Sequence, residues 1–379
     1  MTVAARQPVL AVDARALWGS GIGRYTREIV SGLARLGEFR TIRLLGAPKE
    51  LEPFIATISA AAARSSLEVV PLNGRRYSPF AQAGWAALMA RGEVGDVTFF
   101  PHWDVPLLRL PRRSVVTIHD LIHLQVKGAA SPARRAVARS MIGAAVRGAT
   151  RLIADSAFTR QDLVSGFPAA AGRVDVVPLG VSEIFSMPAK PLAATAVDVL
   201  QPYILCVANR KPHKNLVAAV EVLARLAPTH RTLRLVFAGE RFASWKQTLA
   251  RARALHVASR IVDLGTMPDE TLHALYANAA VYLHPSRYEG FGLPILEAMA
   301  SGAPVVASST TSIPEVAGRA AALVDPDDIE AMTAAVARLL DSRVERERTS
   351  AAGRRQAALF PWSGAAAATQ RILLAAAAA

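Results

Sequence analysis

Short apolar runs alternate along the chain with stretches whose apolar positions recur every three or four residues. The first run is Pro8–Asp13. Beyond a glycine-rich turn at Gly19–Gly23, residues Ile22, Tyr25, Ile29, Val30, Leu33 and Leu36 repeat at helical spacing. Runs at Thr41–Leu45, Leu67–Pro71, Asp96–Phe100, Ser114–His119, Arg151–Ala154 and Val174–Leu179 predict further strands, with helical patterns between several of them. Strands alternating with helices predict a parallel sheet covered on both faces.

The alternation breaks at residues 182–202, where Pro188, Pro191 and Pro202 fall in a stretch of little periodicity. It resumes with strands predicted at Tyr203–Ala208, Leu233–Ala238, Ile261–Gly265, Ala280–Pro285, Ala303–Ala307 and Ala321–Val324. Helices fit Asn215–Leu226, Phe242–Leu255, Pro268–Tyr276, Leu293–Ser301 and Ile329–Leu340. The fold class is therefore α/β, with two doubly wound, Rossmann-like parallel-sheet domains. The expected division is 1–183, a linker at 184–202, 203–360, and an alanine-rich tail at 361–379. The tail is expected to form a helix that packs back on the N-terminal domain. Open sheets bind ligands beyond the carboxyl ends of their strands. The cleft that two such domains would face is thus the expected site, and motifs just after strands matter most.

The 379 residues are 52% hydrophobic and 20% charged, which excludes a disordered chain. The single cysteine, Cys206, excludes an internal disulfide and a cysteine-ligated metal cluster; in the run Tyr203–Val207 it reads as a buried small hydrophobe. Val9–Val12 is too short for a signal sequence, and no uncharged apolar run reaches about 18 residues. The expected place is the cytoplasm. The net charge of +14 implies an anionic partner: nucleic acid, a membrane surface or a phosphorylated substrate.

The strongest motif is His284-Pro-Ser-Arg-Tyr-Glu-Gly-Phe-Gly-Leu-Pro-Ile-Leu-Glu297, directly after a predicted strand. Gly290 and Gly292 form a loop that enters a helix with Pro294 in its first turn, a setting suited to phosphate. Glu297 lies one turn into an apolar helix, where a carboxylate needs partners such as sugar hydroxyls or an arginine. A second motif, Asn209-Arg-Lys-Pro-His-Lys-Asn215, clusters Arg210, Lys211 and Lys214 at a strand end, where a diphosphate would find counter-charge. Ser20-Gly-Ile-Gly-Arg24 only partly matches a dinucleotide fingerprint, because Thr26 stands at the third glycine position. His119-Asp120 follows another strand and suits a catalytic or orienting role. The spacings of His102, His119 and His123 fit no common zinc pattern. In Asp325-Pro-Asp-Asp328, the one Asp-x-Asp, the acids read as helix-capping groups, so no essential metal is expected.

Taken together, these residues resemble glycosyltransferase family 4, retaining enzymes of the GT-B fold. The likeness covers nearly the whole chain. It is carried by Ser20–Tyr25, Thr117–Asp120, Ala154–Thr159, Val176–Val181, Lys214–Leu216, Phe237–Glu240 and the Glu289-x7-Glu297 block through Val306. Val12-Asp-Ala-Arg and Gly21–Thr26 look closest to mannosyltransferase-like members that build bacterial O-antigen and exopolysaccharide. The resemblance implies that Arg210 and Lys214 neutralise a departing diphosphate, with Lys211 as the alternative to Arg210. It implies that Glu297 binds ribose hydroxyls and that Glu289 and His119 face the donor sugar. Gly290, Phe291 and Gly292 would give backbone contacts, Gly21 would approach the diphosphate, and Thr266 and Met267 would border the base. No cofactor is implied beyond the nucleotide-sugar donor, GDP-mannose first, then dTDP-rhamnose and UDP-glucose. The implied acceptor is a glycan or a polyprenyl-diphosphate-linked sugar.

Charge is uneven: residues 1–185 carry 23 Lys and Arg against 14 Asp and Glu, while the remainder carries 21 against 16. The densest segment, Ser131–Arg147, reads as a basic helix whose Arg134, Arg135, Arg139 and Arg147 would meet anionic lipid. That adds a peripheral position on the inner face of the cytoplasmic membrane to the expectation. Nucleic acid becomes the least supported partner, since no recognisable nucleic-acid motif is present. Two other functions fit the same residues: a GT-B nucleotide-sugar epimerase and a non-catalytic nucleotide-sugar-binding protein.

Overall fold

The computed structural model describes residues 6–18, 21–60, 63–74, 76–189 and 202–379. Ser20 of the glycine-rich motif and residues 190–201 of the expected linker lie outside the described residues. The chain forms two compact units.

The first unit runs β1 (Val9–Asp13), α1 (Gly21–Leu36), β2 (Thr41–Gly46), α2 (Pro48–Ala60), β3 (Ser66–Pro71), α3 (Pro79–Ala90), β4 (Val97–Phe100), β5 (Ser114–Ile118), α4 (Ile122–Gln125), α5 (Pro132–Gly148), β6 (Arg151–Ala154), α6 (Ala157–Gly166) and β7 (Val174–Val176). Its strands are parallel in the order β3-β2-β1-β4-β5-β6-β7. Successive side chains of a strand point to opposite faces, so adjacent apolar residues feed two cores. Leu10 and Val12 enter one core with Phe99 and Val115. Ala11, Phe100 and Val116 enter the other. Helix starts are capped by Ser78, Ser131 and Ser156, whose side chains accept backbone N–H groups.

The second unit runs β8 (Tyr203–Val207), α7 (Leu216–Leu226), β9 (Arg234–Ala238), α8 (Trp245–Ala254), β10 (Ile261–Gly265), α9 (Asp269–Asn278), β11 (Val281–His284), α10 (Leu293–Ala300), β12 (Val305–Ser308), α11 (Ile313–Ala317), β13 (Ala322–Val324), α12 (Ile329–Asp341) and α13 (Arg343–Ala357). Its parallel order is β10-β9-β8-β11-β12-β13. Cys206 is buried in β8, and burial pushes its thiol pKa up.

The last helix, α14 (Trp362–Ala378), belongs to the first unit and packs along α1. Small residues permit the approach: a Cβ on Gly32 would overlap that of Ala366, and one on Gly180 would overlap the backbone of Trp362. The division differs from the one expected at residue 183. The first unit closes at Gly180, and Val181 N–H donates to Phe360 O in the second (2.9 Å). Residues 184–189 fold onto the second unit, with Phe185 buried edge-on against His273 and Tyr276.

Candidate active site

In each unit the strand order reverses once, and in such sheets the ligand-binding crevice is expected beyond the carboxyl ends of the two strands that flank the reversal. In the second unit these strands are β8 and β11. The loop after β8 makes a short 3-10 turn, Pro212–Lys214, and Asn215 takes φ 53° with its side-chain amide donating to Pro326 O (2.8 Å). That turn aims Lys214 at Glu289. Lys214 Nζ donates to Glu289 Oε1 and Oε2 at 2.6 and 2.8 Å. His284, the last residue of β11, donates from Nε2 to Glu289 Oε1 (2.9 Å). With that proton placed, its Nδ1 in the neutral tautomer accepts from the Tyr282 hydroxyl (2.9 Å). Glu289 N–H donates to Thr311 Oγ1 (3.2 Å). Burial alone would raise the carboxyl pKa. The Lys214 charge and the His284 hydrogen bond outweigh it and hold Glu289 well below the usual carboxylate range.

Gly290, Phe291 and Gly292 lead from Glu289 into α10. Gly292 sits at φ 107°, in the left-handed region that glycine adopts without strain. Ser312 Oγ lies 3.0 Å from Glu289 O and 2.9 Å from Phe291 O and fixes the loop from behind. Phe291 is buried, edge-on to Phe360. Glu297 is buried in α10 and accepts a hydrogen bond from Tyr276 Oη at Oε2 (3.1 Å). Thr266 is exposed and Met267 half-buried just past β10.

Arg210, expected beside a diphosphate, is only 1% exposed. Its guanidinium turns inward to the Gly239 carbonyl and to Asp263 on β10, and lies over Trp245 at 4.6 Å. A buried guanidinium must spend its donors on fixed acceptors, and Asp263 lies 53 residues away, out of reach of local sequence reading. Lys211 is half-buried, with Nζ 5.2 Å from the Phe242 ring centroid. Lys214, paired with Glu289, lies at the carboxyl ends of β8 and β11. The Asp-x-Asp acids have structural partners: Asp327 pairs with Arg287 (2.6 Å) and Asp328 caps α12 (2.9 Å).

In the first unit, His119 lies past β5 with both ring nitrogens engaged. Nδ1 is 2.7 Å from Asp155 Oδ2, and Nε2 is 2.8 Å from the Pro101 carbonyl. Neither partner oxygen has a proton to give when Asp155 is ionised, so the ring carries both protons. Burial lowers the His119 pKa, but the Asp155 charge and the two hydrogen bonds raise it past its ordinary 6.5. Asp155 and His284 were part of quoted motifs but had no assigned role; only their strand-end positions signalled them. Gly21 is the exposed first residue of α1, and a Cβ there would meet no atom within 4 Å. On α5, Arg134, Arg139 and Arg147 are exposed and Arg135 is half-buried.

The two parallel α/β units have the GT-B fold. The family model for glycosyltransferase family 4 matches residues 19–183, and that for glycosyl transferases group 1 matches residues 193–356. The chain belongs to glycosyltransferase family 4. It is 28% identical over 358 residues to the O-antigen chain mannosyltransferase B of Escherichia coli, covering 90% of this chain and 93% of the relative. It is 30% identical to the D-inositol 3-phosphate glycosyltransferase of Mycolicibacterium smegmatis, covering 90% and 74%. Among solved structures, HepE of Anabaena, in complex with UDP and glucose, superposes with a TM-score of 0.74 at 17% identity, covering 97% of this chain and 99% of that one.

A raised His119 pKa means that its pairing stabilises the fold fully below pH 6.5 and is lost as pH rises through the folded value. An NMR titration should place the His119 ring above 6.5 in the intact chain and lower in Asp155→Asn. Thermal unfolding should show an advantage over that variant that shrinks above pH 6.5. A ring titrating at or below 6.5 in the unaltered chain contradicts the pairing.

Proposed function

We propose that this chain is a retaining, metal-independent mannosyltransferase that takes its sugar from GDP-mannose and passes it to a lipid-linked or polysaccharide acceptor. The observation that carries the reading is the Lys214–Glu289–His284 chain at the β8–β11 crevice, next to the glycine loop that opens α10. Loss of a nucleoside diphosphate moves negative charge onto the leaving oxygen. Lys214 and the positive end of α10 are suited to receive that charge, so the leaving group needs no metal. Glu289, kept ionised, faces the positive charge that develops at the sugar's anomeric carbon. Glu297 takes ribose hydroxyls. In a front-face transfer the bond from the anomeric carbon to the phosphate oxygen breaks and its electrons leave with the phosphate. The acceptor oxygen bonds on the same face and gives its proton to that phosphate. The names of the E. coli relatives support mannose as the sugar and O-antigen as the class of product.

The acceptor is read as membrane-borne because the excess positive charge lies in residues 1–185 and Arg134, Arg139 and Arg147 stand exposed on α5. Among the described residues no helix is long and apolar enough to cross a membrane. The proposed attachment is therefore electrostatic and peripheral.

Two measurements check this reading. In a thermal-shift screen with EDTA present, GDP-mannose should raise the melting temperature, with dTDP-rhamnose and UDP-glucose as comparisons; no shift with any nucleotide sugar or nucleoside diphosphate would contradict it. In vesicle co-sedimentation the chain should bind anionic liposomes and be released by salt. Equal binding to neutral vesicles would remove the electrostatic part.

A further inference from the structure

Lys214 has two tasks in the proposed reaction and one charge to serve both. Two of its N–H donors already go to Glu289, at 2.6 and 2.8 Å. A diphosphate arriving at the same ammonium group adds further negative charge. Two anions would then share one lysine where the Glu289 side chain is only 11% exposed, and a buried carboxylate without its full counter-charge is costly. Arg210 gives no relief, because its guanidinium is committed to Asp263 and the Gly239 carbonyl.

His284 is the other group that holds Glu289. It is buried as the last residue of β11, and its Nε2 donates to Oε1 (2.9 Å). Unlike a lysine, it can hold the carboxylate either as a neutral ring or as a cation. A second proton on the ring would sit on Nδ1, which accepts from Tyr282 Oη (2.9 Å) in the neutral tautomer. The same hydroxyl lies 3.4 Å from Val207 O on the neighbouring strand β8. It can turn its proton to that carbonyl and accept from Nδ1 instead. Every polar atom of the trio then keeps a partner in both states, so the ring can gain a proton without leaving a buried donor unpaired.

The titratable groups that act on this trio are Lys214 after β8, Cys206 within β8, whose thiol is kept neutral by burial, and Glu297 on α10. Both carboxylates, Glu289 and Glu297, favour a positive ring. Lys214 opposes it while its own charge stays close. Withdrawal of that charge toward a diphosphate removes the opposition.

We propose that His284 is a positioning residue that takes over Glu289 from Lys214 when the donor binds, gaining one proton from solvent at Nδ1 as Tyr282 turns its hydroxyl to Val207 O. Imidazole becomes imidazolium, Tyr282 keeps its proton, and Glu289 stays ionised. The proposal rests on the reading of Lys214 as the cation of the diphosphate.

Isothermal titration of GDP-mannose at neutral pH, in buffers of different ionisation enthalpy, counts the protons taken up on binding. Both phosphates of GDP-mannose are esterified, so neither has a proton to exchange near that pH. The unaltered chain should take up about one proton per donor bound, and its affinity should fall as pH rises. His284→Gln, whose amide can still donate to Glu289 but takes no second proton, should lose that uptake. Uptake that persists in His284→Gln, or binding without uptake by the unaltered chain, overturns the proposal. A second readout needs no donor. In folded Lys214→Met the cation is gone, and nitrogen-15 shifts should show the His284 ring protonated on both nitrogens, against one in the unaltered chain. A singly protonated ring in both chains overturns the proposal. Failure of GDP-mannose to bind the unaltered chain strikes the donor reading instead, and the ring shifts still decide the role of His284.

Discussion

A carboxylate buried at a sheet edge must be held charged by its neighbours, and the arrangement of the second unit follows from that need. Glu289 is 11% exposed at its side chain, where an unpaired charge is prohibitive. Its partners come from separate segments: Lys214 after β8, His284 at the end of β11 and Thr311 after β12. They meet only if β8, β11 and β12 lie side by side in that order, as they do. Removing one partner of such a buried pair typically costs about 3–5 kcal/mol, because the other is left uncompensated. The crevice is thus tied to the fold by electrostatics as well as by packing.

The first unit repeats the device with different groups. His119 bridges Asp155, which follows β6, and the carbonyl of Pro101, which follows β4, joining three strand ends through one protonated ring. The ring's two nitrogens are occupied by protein atoms.

The strand pattern was legible because most strands are short apolar runs bounded by Gly, Pro or polar turns; among the described residues all thirteen strand ranges overlap those expected. The helix α13 was not, because Arg343–Ala357 carries charge at both ends, has little apolar periodicity, and buries only Gly353 and Ala357. Its attachment is carried by details no periodicity reveals, such as Ser350 donating to Gly302 O (2.7 Å). At the site, Glu289, Glu297 and Lys214 were legible from a glycine loop and a strand end. The inward pairing of Arg210 was not legible, because its partner Asp263 lies far along the chain and a cation in a basic loop looks alike whether it faces in or out.

In the proposed reaction Lys214 supplies the charge that holds the donor's diphosphate. Isothermal titration of GDP into the unaltered chain and into Lys214→Met, with melting temperatures recorded for both, tests it most directly. Affinity should be about tenfold weaker or more in Lys214→Met, the size expected for losing a charge-assisted contact. Equal affinity in a folded Lys214→Met variant would contradict it.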